Sequence, residues 1–240
     1  VGVAVADLFT GMYATVAILA ALRHAERTGE GQHVDAALLD TQVAMLANLG
    51  ANYLVSGKVP GRSGNAHQNI VPYQVFEVAP APDGHKDHLI LAVGNDSQYA
   101  KFCAVAGHPE LAIDPRYARN QDRVRNRAEL VPVLERIMKT RSKADWLAAL
   151  EAAKVPCGAI NNIAEVFDDP HVRERGMVTT WNHPVNPDLH LVSSPIRLSA
   201  TPVRTDRPPP LLGEQTEEVL RTVLGYSEAR INALKEGEVI

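Results

Sequence analysis

The amino-acid sequence predicts a protein of the α/β class in which a small α+β domain is inserted into a larger domain. The apolar segments at the two ends of the chain are short, whereas the segment between them has strands and helices of its own. At 240 residues the chain can form one or two domains with a substantial core. Its 45% apolar and 22% charged residues are typical of a globular protein.

The first zone, residues 1–57, is predicted to be a helix, a short strand and a second helix. Apolar residues recur at spacings of three and four along the first helix, as a core-facing helix requires. These residues are Leu8, Met12, Val16, Leu19 and Leu22. The segment "QHVDAAL" (residues 32–38) is predicted to be a strand, and residues 38–55 a mostly apolar helix. This arrangement predicts part of a larger domain rather than a complete one.

Residues 8–22 are apolar enough to require a test against a membrane or targeting role. No basic stretch precedes them, Asp7 stands at their start, and the uncharged run is shorter than the about 20 residues that a bilayer requires. We therefore expect a buried helix and no membrane partner. Because the chain begins with valine and not with methionine, we also expect a fragment or processed piece, with a preceding part absent.

Residues 58–69 are predicted to be a linker, and residues 70–176 a small α+β domain. Strands are expected at "PYQVFEV", "DHLILAV" and "VPCGAIN", and helices near residues 98–106 and 127–139, after Ser142, and at "IAEVFDDPHVRERG". Residues 177–240 are predicted to return to the larger domain. Strands are expected there at "MVTTWNHP" and "LHLVSSPIRLS", and helices at "TEEVLRTVLG" and "SEARINALKEG".

Several functional classes find no support in the sequence. The net charge of −4 gives no general reason to expect nucleic acid as a partner. Cys103 and Cys157 form neither a metal motif nor a disulfide framework, which favours a cytoplasmic location. The usual nucleotide, zinc and serine-hydrolase motifs are absent. The remaining candidates are Asp7, residues 61–69 and the polar break "VGNDSQ" at residues 93–98.

These residues lie in segments that resemble a known family. The stretch "ADLFTGMYATVAILAALRHAERTGEGQHVDAALLD" resembles the part of the class III CoA-transferases that contains their catalytic aspartate. The segments "GRSGNAHQNIVPYQVFE", "DGHKDHLILAVGNDSQYAKFC", "VPCGAINNIAEVFDDPHVRERGMV" and "LLGEQTEEVL" follow in the family's order. The resemblance covers essentially the whole chain and is more specific than a single motif.

The resemblance implies the class III CoA-transferase fold without its Rossmann-like amino-terminal half, which binds CoA in the family. It also implies an interlocked homodimer and association with that absent half. The substrates would be an acyl-CoA and a small carboxylic acid, such as a dicarboxylate. CoA would take part as a substrate and not as a bound cofactor, and neither a metal nor a redox cofactor would be needed.

For Asp7, the resemblance implies a covalent role. The matching carboxylate in the family attacks an acyl-CoA, and the intermediate that follows is an aspartyl-CoA thioester; carboxylates serve as nucleophiles in this way in several enzyme classes. The alternative is that Asp7 is only a helix N-cap, since aspartate is common at that position. The two roles are compatible.

Residues 61–69 occupy the place of a family loop that closes over the aspartate. Gly64 would allow a positive φ and close backbone approach, while Asn65, His67 and Gln68 could bind a substrate carboxylate or an oxyanion. The segment departs from the consecutive glycines of the formyl-CoA transferases, which argues against formate and oxalate. The alternative is a simple linker in which glycine and asparagine serve turns.

Two other functions stay open. The α-methylacyl-CoA racemases share the fold but use a glutamate near residues 93–98, where this chain has Asn95, Asp96 and Ser97; Asp96 is instead expected to cap a helix. The chain could also be an inactive remnant or an assembly module without the CoA-binding half. The residues and the resemblance favour the CoA-transferase.

Overall fold

In the computed structural model, which describes residues 2–240, the chain forms two compact units. The first unit ends at Ile160 and the second is Asn161–Ile240. Both contain helices and strands, which confirms the mixed α/β class. The finer division at residues 57, 69 and 176 stays a prediction.

The first unit consists of helices around one small sheet. Its helices are α1 (Val5–Thr28), α2 (Leu38–Ala44), α3 (Ala47–Ser56), α4 (Asp96–Val105), α5 (Glu110–Ile113), α6 (Asn120–Arg125), α7 (Arg127–Met138) and α8 (Lys143–Ala152). Its strands are β1 (Tyr73–Glu77), β2 (His88–Ala92) and β3 (Cys157–Ala159). The strands predicted at "PYQVFEV", "DHLILAV" and "VPCGAIN" are confirmed, as are the helices predicted near residues 98–106 and 127–139 and after Ser142.

The sheet is antiparallel, in the order β1-β2-β3, with Tyr73 opposite Ala92 and Leu91 opposite Cys157. Alternate side chains of β2 point into the core, as the period of a strand requires. The helices α4, α7 and α8 supply most of the other buried apolar side chains. The largest of these are Trp146, Tyr99 and Phe102. The hydrophobic core of the unit therefore lies between residues 71 and 155.

Helix α1 forms as its sequence pattern predicts, but the prediction that it is buried is wrong. It contains no buried residue, and Leu8, Met12 and Leu19 are about 60% exposed or slightly more. Helix α2 packs against α1, and this contact leaves most of the apolar face of α1 uncovered. By length and composition alone, α1 could cross a membrane, a test that core helices of soluble proteins and signal sequences also pass.

Two further predictions for the first zone are wrong. Residues 32–38 do not form a strand, because none of the described strands pairs with them and an unpaired strand leaves its backbone groups without partners. The helix predicted over residues 38–55 is divided into α2 and α3. Ala47, at the start of α3, has a φ of 45°, which interrupts a right-handed helix.

The second unit has one antiparallel hairpin and four short helices. Its strands are β4 (Val178–Trp181) and β5 (Leu189–Val192), and its helices are α9 (Ile163–Asp168), α10 (Pro170–Glu174), α11 (Thr216–Thr222) and α12 (Glu228–Glu236). The single helix predicted for "IAEVFDDPHVRERG" is divided in two at Pro170. Asp169 takes a ψ of 127°, since a residue before proline is disfavoured in the helical region.

Candidate active site

Asp7 lies on the surface in the first turn of α1. The helix begins at Val5, so Asp7 is its third residue and not its N-cap, as the structural alternative assumed. Ala4 occupies the cap position and has no side chain that could bond the helix end. The capping prediction is therefore wrong, while the predicted position at the positive end of the helix dipole is confirmed.

The carboxylate of Asp7 makes no hydrogen bond or ion pair with any described residue, and its side chain is exposed. Thr10, one turn along, instead bonds its hydroxyl to the carbonyl oxygen of Ala6 at 2.7 Å. Both oxygens of Asp7 are thus accessible and uncommitted. This is the state that a carboxylate nucleophile needs before it meets an electrophile.

Gly64 and Asn65 form a turn in the predicted loop. Gly64 has a φ of 58°, as its glycine allows, and a Cβ atom at this position would meet nothing within 4 Å. The expected positive φ is present, and the close backbone approach stays a prediction. The side-chain amide oxygen of Asn65 accepts a hydrogen bond from the backbone N–H of Val75 at 2.9 Å and so holds the loop against β1.

His67 is fixed by the protein on two sides. Its ring stacks on Tyr73 with centroids 5.4 Å apart, and its Nδ1 accepts the backbone N–H of Asn69 at 3.1 Å. The Nε2 atom takes no part in these two contacts. The Nε2 atom of Gln68 lies 3.5 Å from the hydroxyl of Ser63, which is a weak hydrogen bond at most. Of these two side chains, that of Gln68 is less constrained.

Arg127, at the first position of α7, contacts the loop although the sequence analysis did not single it out. Its Nη2 donates to the carbonyl oxygens of His67 and Gln68 at 2.7 and 2.8 Å. Partial burial lowers the pKa of Arg127, although an arginine stays charged at neutral pH. A charged residue ahead of an amphipathic helix has no local pattern that distinguishes it, so no sequence signal could have found this contact.

A groove of about 640 Å³ lies between the loop and helices α6 and α7. Gly61, Ser63 and Gln68 line it on the loop side, and Arg127 and Val131 on the helix side. Asp7 does not line this groove, and no hydrogen bond or ion pair joins Asp7 to the loop. The structure therefore brings Gly64, Asn65, His67 and Gln68 together in one loop but does not connect them with Asp7.

The polar break at residues 93–98 has a structural role. Asn95, and not Asp96 as predicted, caps α4 by accepting the backbone N–H of Gln98 at 3.0 Å. Asp96 instead accepts hydrogen bonds from Arg123 Nη2 at 2.8 Å and from the backbone N–H of Asn120 at 2.9 Å. Its carboxylate thus joins α4 to α6.

The described residues contain no cluster of three or more His, Cys, Asp or Glu that could hold a metal ion. Both cysteines of the chain are free thiols. Burial raises the pKa of Cys103 to about 11 and also raises the pKa of Cys157. Neither group is therefore a reactive thiolate near neutral pH.

Comparison with known proteins identifies the family. Residues 1–216 match the profile of the CoA-transferase family III. The chain is 48% identical over 219 residues to a succinate–glutarate CoA-transferase of Agrobacterium fabrum, covering 91% of this chain and 53% of that protein. It is 38% identical over 239 residues to the succinyl-CoA:glutarate CoA-transferase of Homo sapiens, covering 100% of this chain and 53% of that protein.

A solved structure agrees with the sequence relatives. The crystal structure of a CAIB/BAIF family protein from Brucella suis matches with a TM-score of 0.72 and 43% identity, covering 91% of this chain and 55% of that one. The chain thus spans about half the length of the relatives it matches. On the extent of the profile match and the identity to these relatives, the chain belongs to the CoA-transferase family III.

Proposed function

We propose that the chain is the aspartate-bearing part of a CoA-transferase that moves CoA from an acyl-CoA to a carboxylic acid. The observation that carries the proposal is its similarity, over nine-tenths of the chain or more, to relatives named as CoA-transferases. The names of two of them, with glutarate paired to succinate or succinyl-CoA, support dicarboxylates as the substrate class. No observation favours the racemase alternative.

The proposed reaction proceeds through Asp7. A carboxylate oxygen of Asp7 attacks the acyl carbonyl carbon, the C–S bond breaks, and CoA leaves as a thiolate. The thiolate then attacks the Asp7 carbonyl carbon of the mixed anhydride and releases the donor acid. This leaves an aspartyl-CoA thioester, which divides one difficult exchange into easier steps.

The acceptor acid completes the exchange by the reverse sequence. Its carboxylate attacks the Asp7 thioester, CoA leaves again as a thiolate, and a second mixed anhydride forms. The thiolate attacks the acceptor acyl carbon and releases the Asp7 carboxylate. No proton, electron or further reactant is consumed, so the accessible carboxylate of Asp7 is the one protein group that must react.

The experiment traps the intermediate. The chain is assayed alone and together with the CoA-binding half that the family resemblance predicts, with succinyl-CoA and glutarate as substrates. Hydroxylamine added during turnover should convert the thioester to a hydroxamate at Asp7, which peptide mass spectrometry locates. We expect Asp7→Asn to reduce transfer by at least about 10³-fold, because it removes the nucleophile.

Asp40→Asn is the matched control. Asp40 is exposed and is the third residue of α2, as Asp7 is of α1. The Asp40→Asn substitution therefore removes the same charge at the same helix position. The variant should transfer CoA at close to the wild-type rate. If the assembled protein binds succinyl-CoA but exchanges CoA with none of a panel of acids, the transferase proposal fails and the assembly-module alternative gains support. Exchange of the α-proton of a 2-methylacyl-CoA without a trapped adduct would instead favour the racemase.

A further inference from the structure

The described hydrogen bonds that join the loop at residues 61–69 to the rest of the first unit lie beyond Gly64. Residues Gly61 and Gly64 have open space where a side chain would lie. Beyond Gly64 the backbone N–H of His67 bonds the carbonyl oxygen of Tyr73 at 2.9 Å. The side-chain amides of Asn69 and Asn52 bond each other at 3.1 and 3.2 Å. Beyond Gly64 the loop is thus bonded to its surroundings, while the carbonyl oxygen of Ser63 accepts the backbone N–H of Ala66 at 2.9 Å within the loop.

Arg127 is a charged group that binds the loop beyond Gly64. A single guanidinium nitrogen bridges two consecutive carbonyl oxygens, those of His67 and Gln68, across 60 and 59 positions of the sequence. Hydrogen bonds from a charged donor are shorter and stronger than those between neutral groups. The bridge therefore sets the direction of the main chain where the two candidate substrate-binding side chains begin.

Helix α7 gives this bridge a rigid base. Leu130, Leu134 and Met138 lie on its inner face and are fully buried in the core of the first unit. Close-packed side chains of this kind allow little displacement of the helix. The Arg127 side chain thus anchors the loop main chain to the core of the first unit.

We propose that Arg127 is a positioning residue for CoA transfer, which holds the loop main chain at His67 and Gln68 in the orientation with which the loop, by the family resemblance, shields the aspartyl-CoA thioester from water. The inference rests on the proposed function. In the reaction that the loop suppresses, a water oxygen attacks the Asp7 thioester carbonyl carbon and the C–S bond breaks. CoA leaves as a thiolate that takes up one of the two protons of the water, and the other proton passes to the solvent as the Asp7 carboxylate is restored.

The test uses the full chain, assembled with the CoA-binding half, and three variants. Arg127→Met keeps an apolar stem but removes every donor, whereas Arg127→Lys keeps the charge and one donor group. Arg136→Met is the control, because Arg136 is an exposed residue of the same helix outside the groove. Two quantities are measured: amide hydrogen exchange in residues 61–69, and the ratio of succinyl-CoA hydrolysis to CoA transfer.

We expect Arg127→Met to exchange at least about tenfold faster than Arg136→Met at residues 67–69, since it loses both carbonyl bonds. Its ratio of hydrolysis to transfer should rise several-fold, and Arg127→Lys should restore part of both losses. A purely structural role would reduce the amount of active protein and lower both reactions equally, so it would leave the ratio unchanged.

Equal exchange in Arg127→Met and Arg136→Met would overturn the inference, as would an unchanged ratio in a variant that still transfers CoA. A wild-type protein that transfers no CoA would remove the proposed function and, with it, the catalytic part of the inference. In that case the exchange measurement would still decide whether Arg127 orders the loop. The two failures are therefore distinguishable.

Discussion

Replacement of Arg123 by methionine should be among the most destabilising single changes in the first unit. The side chain is completely buried, and all three guanidinium nitrogens have acceptors. Its Nε donates to the carbonyl oxygen of Val71 at 2.6 Å, and its Nη1 to those of Tyr117 and Ala118 at 2.9 and 3.1 Å. Its Nη2 donates to Asp96 at 2.8 Å.

The magnitude follows from which acceptors water can reach. Val71 and Tyr117 are buried, so their carbonyl oxygens lose a charged donor and gain nothing, at about 1–3 kcal/mol each. Asp96 is 53% exposed, and water can replace its lost partner there at little cost. Because methionine buries readily and offsets part of the loss, we expect Arg123→Met to lower the free energy of unfolding by about 3–5 kcal/mol.

Urea denaturation followed by tryptophan fluorescence measures this change, since Trp146 lies in the same core. The matched control is Arg125→Met, two positions along α6, where the side chain is 73% exposed and pairs with Asp122 at 3.4 Å. It should change stability by less than about 0.5 kcal/mol. If Arg123→Met lowers the free energy of unfolding by less than about 1 kcal/mol, the reasoning is refuted. The buried carbonyl oxygens would then not need the guanidinium as their hydrogen-bond donor.

Two further substitutions test other contacts of the same core. Burial alone would raise the pKa of Asp87, but hydrogen bonds from Lys143 Nζ, at 2.8 Å, and from the backbone of His88 outweigh it and lower the pKa. A lowered folded pKa stabilises the protein above the unfolded value and ceases to do so as the pH falls through the folded one. Asp87→Asn should therefore lower the free energy of unfolding by about 1–3 kcal/mol near neutral pH and by progressively less below about pH 4. Urea denaturation that gives the same loss near neutral pH and below about pH 4 would contradict this. Trp146→Phe removes the hydrogen bond from the indole N–H to the carbonyl oxygen of Met138, at 2.7 Å. It should lower the free energy of unfolding, measured by urea denaturation, by about 2 kcal/mol. A change within experimental error would show that another donor replaces the indole.

Local sequence patterns predicted those elements whose partners lie nearby in the same unit. The apolar run in "DHLILAV" became β2 because β1 and β3 pair with it, and Ser142 caps α8 by accepting the backbone N–H of Asp145. The same kind of pattern failed for residues 32–38 and for the burial of α1. Periodicity identifies which face of an element is apolar, but burial and pairing depend on whether another element covers that face.

The candidate site shows the same division between what the sequence predicts and what it does not. Gly64, Asn65, His67 and Gln68 could be proposed because their segment occupies the place of a family loop, with a glycine that allows a positive φ and three side chains that can form hydrogen bonds. Arg127 could not, because it acts on main-chain carbonyl oxygens about 60 positions away. Contacts of a side chain with a distant backbone leave no pattern in either segment.

Because Arg127 binds the loop main chain, the position of the loop does not depend on the side chains that carry the chemistry of the loop. Arg127 binds carbonyl oxygens that every amino acid has, so a change of the side chain at His67 or Gln68 leaves both bonds available. The side chains that would meet a substrate can therefore differ among related proteins while the main chain stays anchored to the same helix. If the proposed function holds, the core behind α7 determines where the loop lies, and the loop sequence determines which acid the transferase accepts.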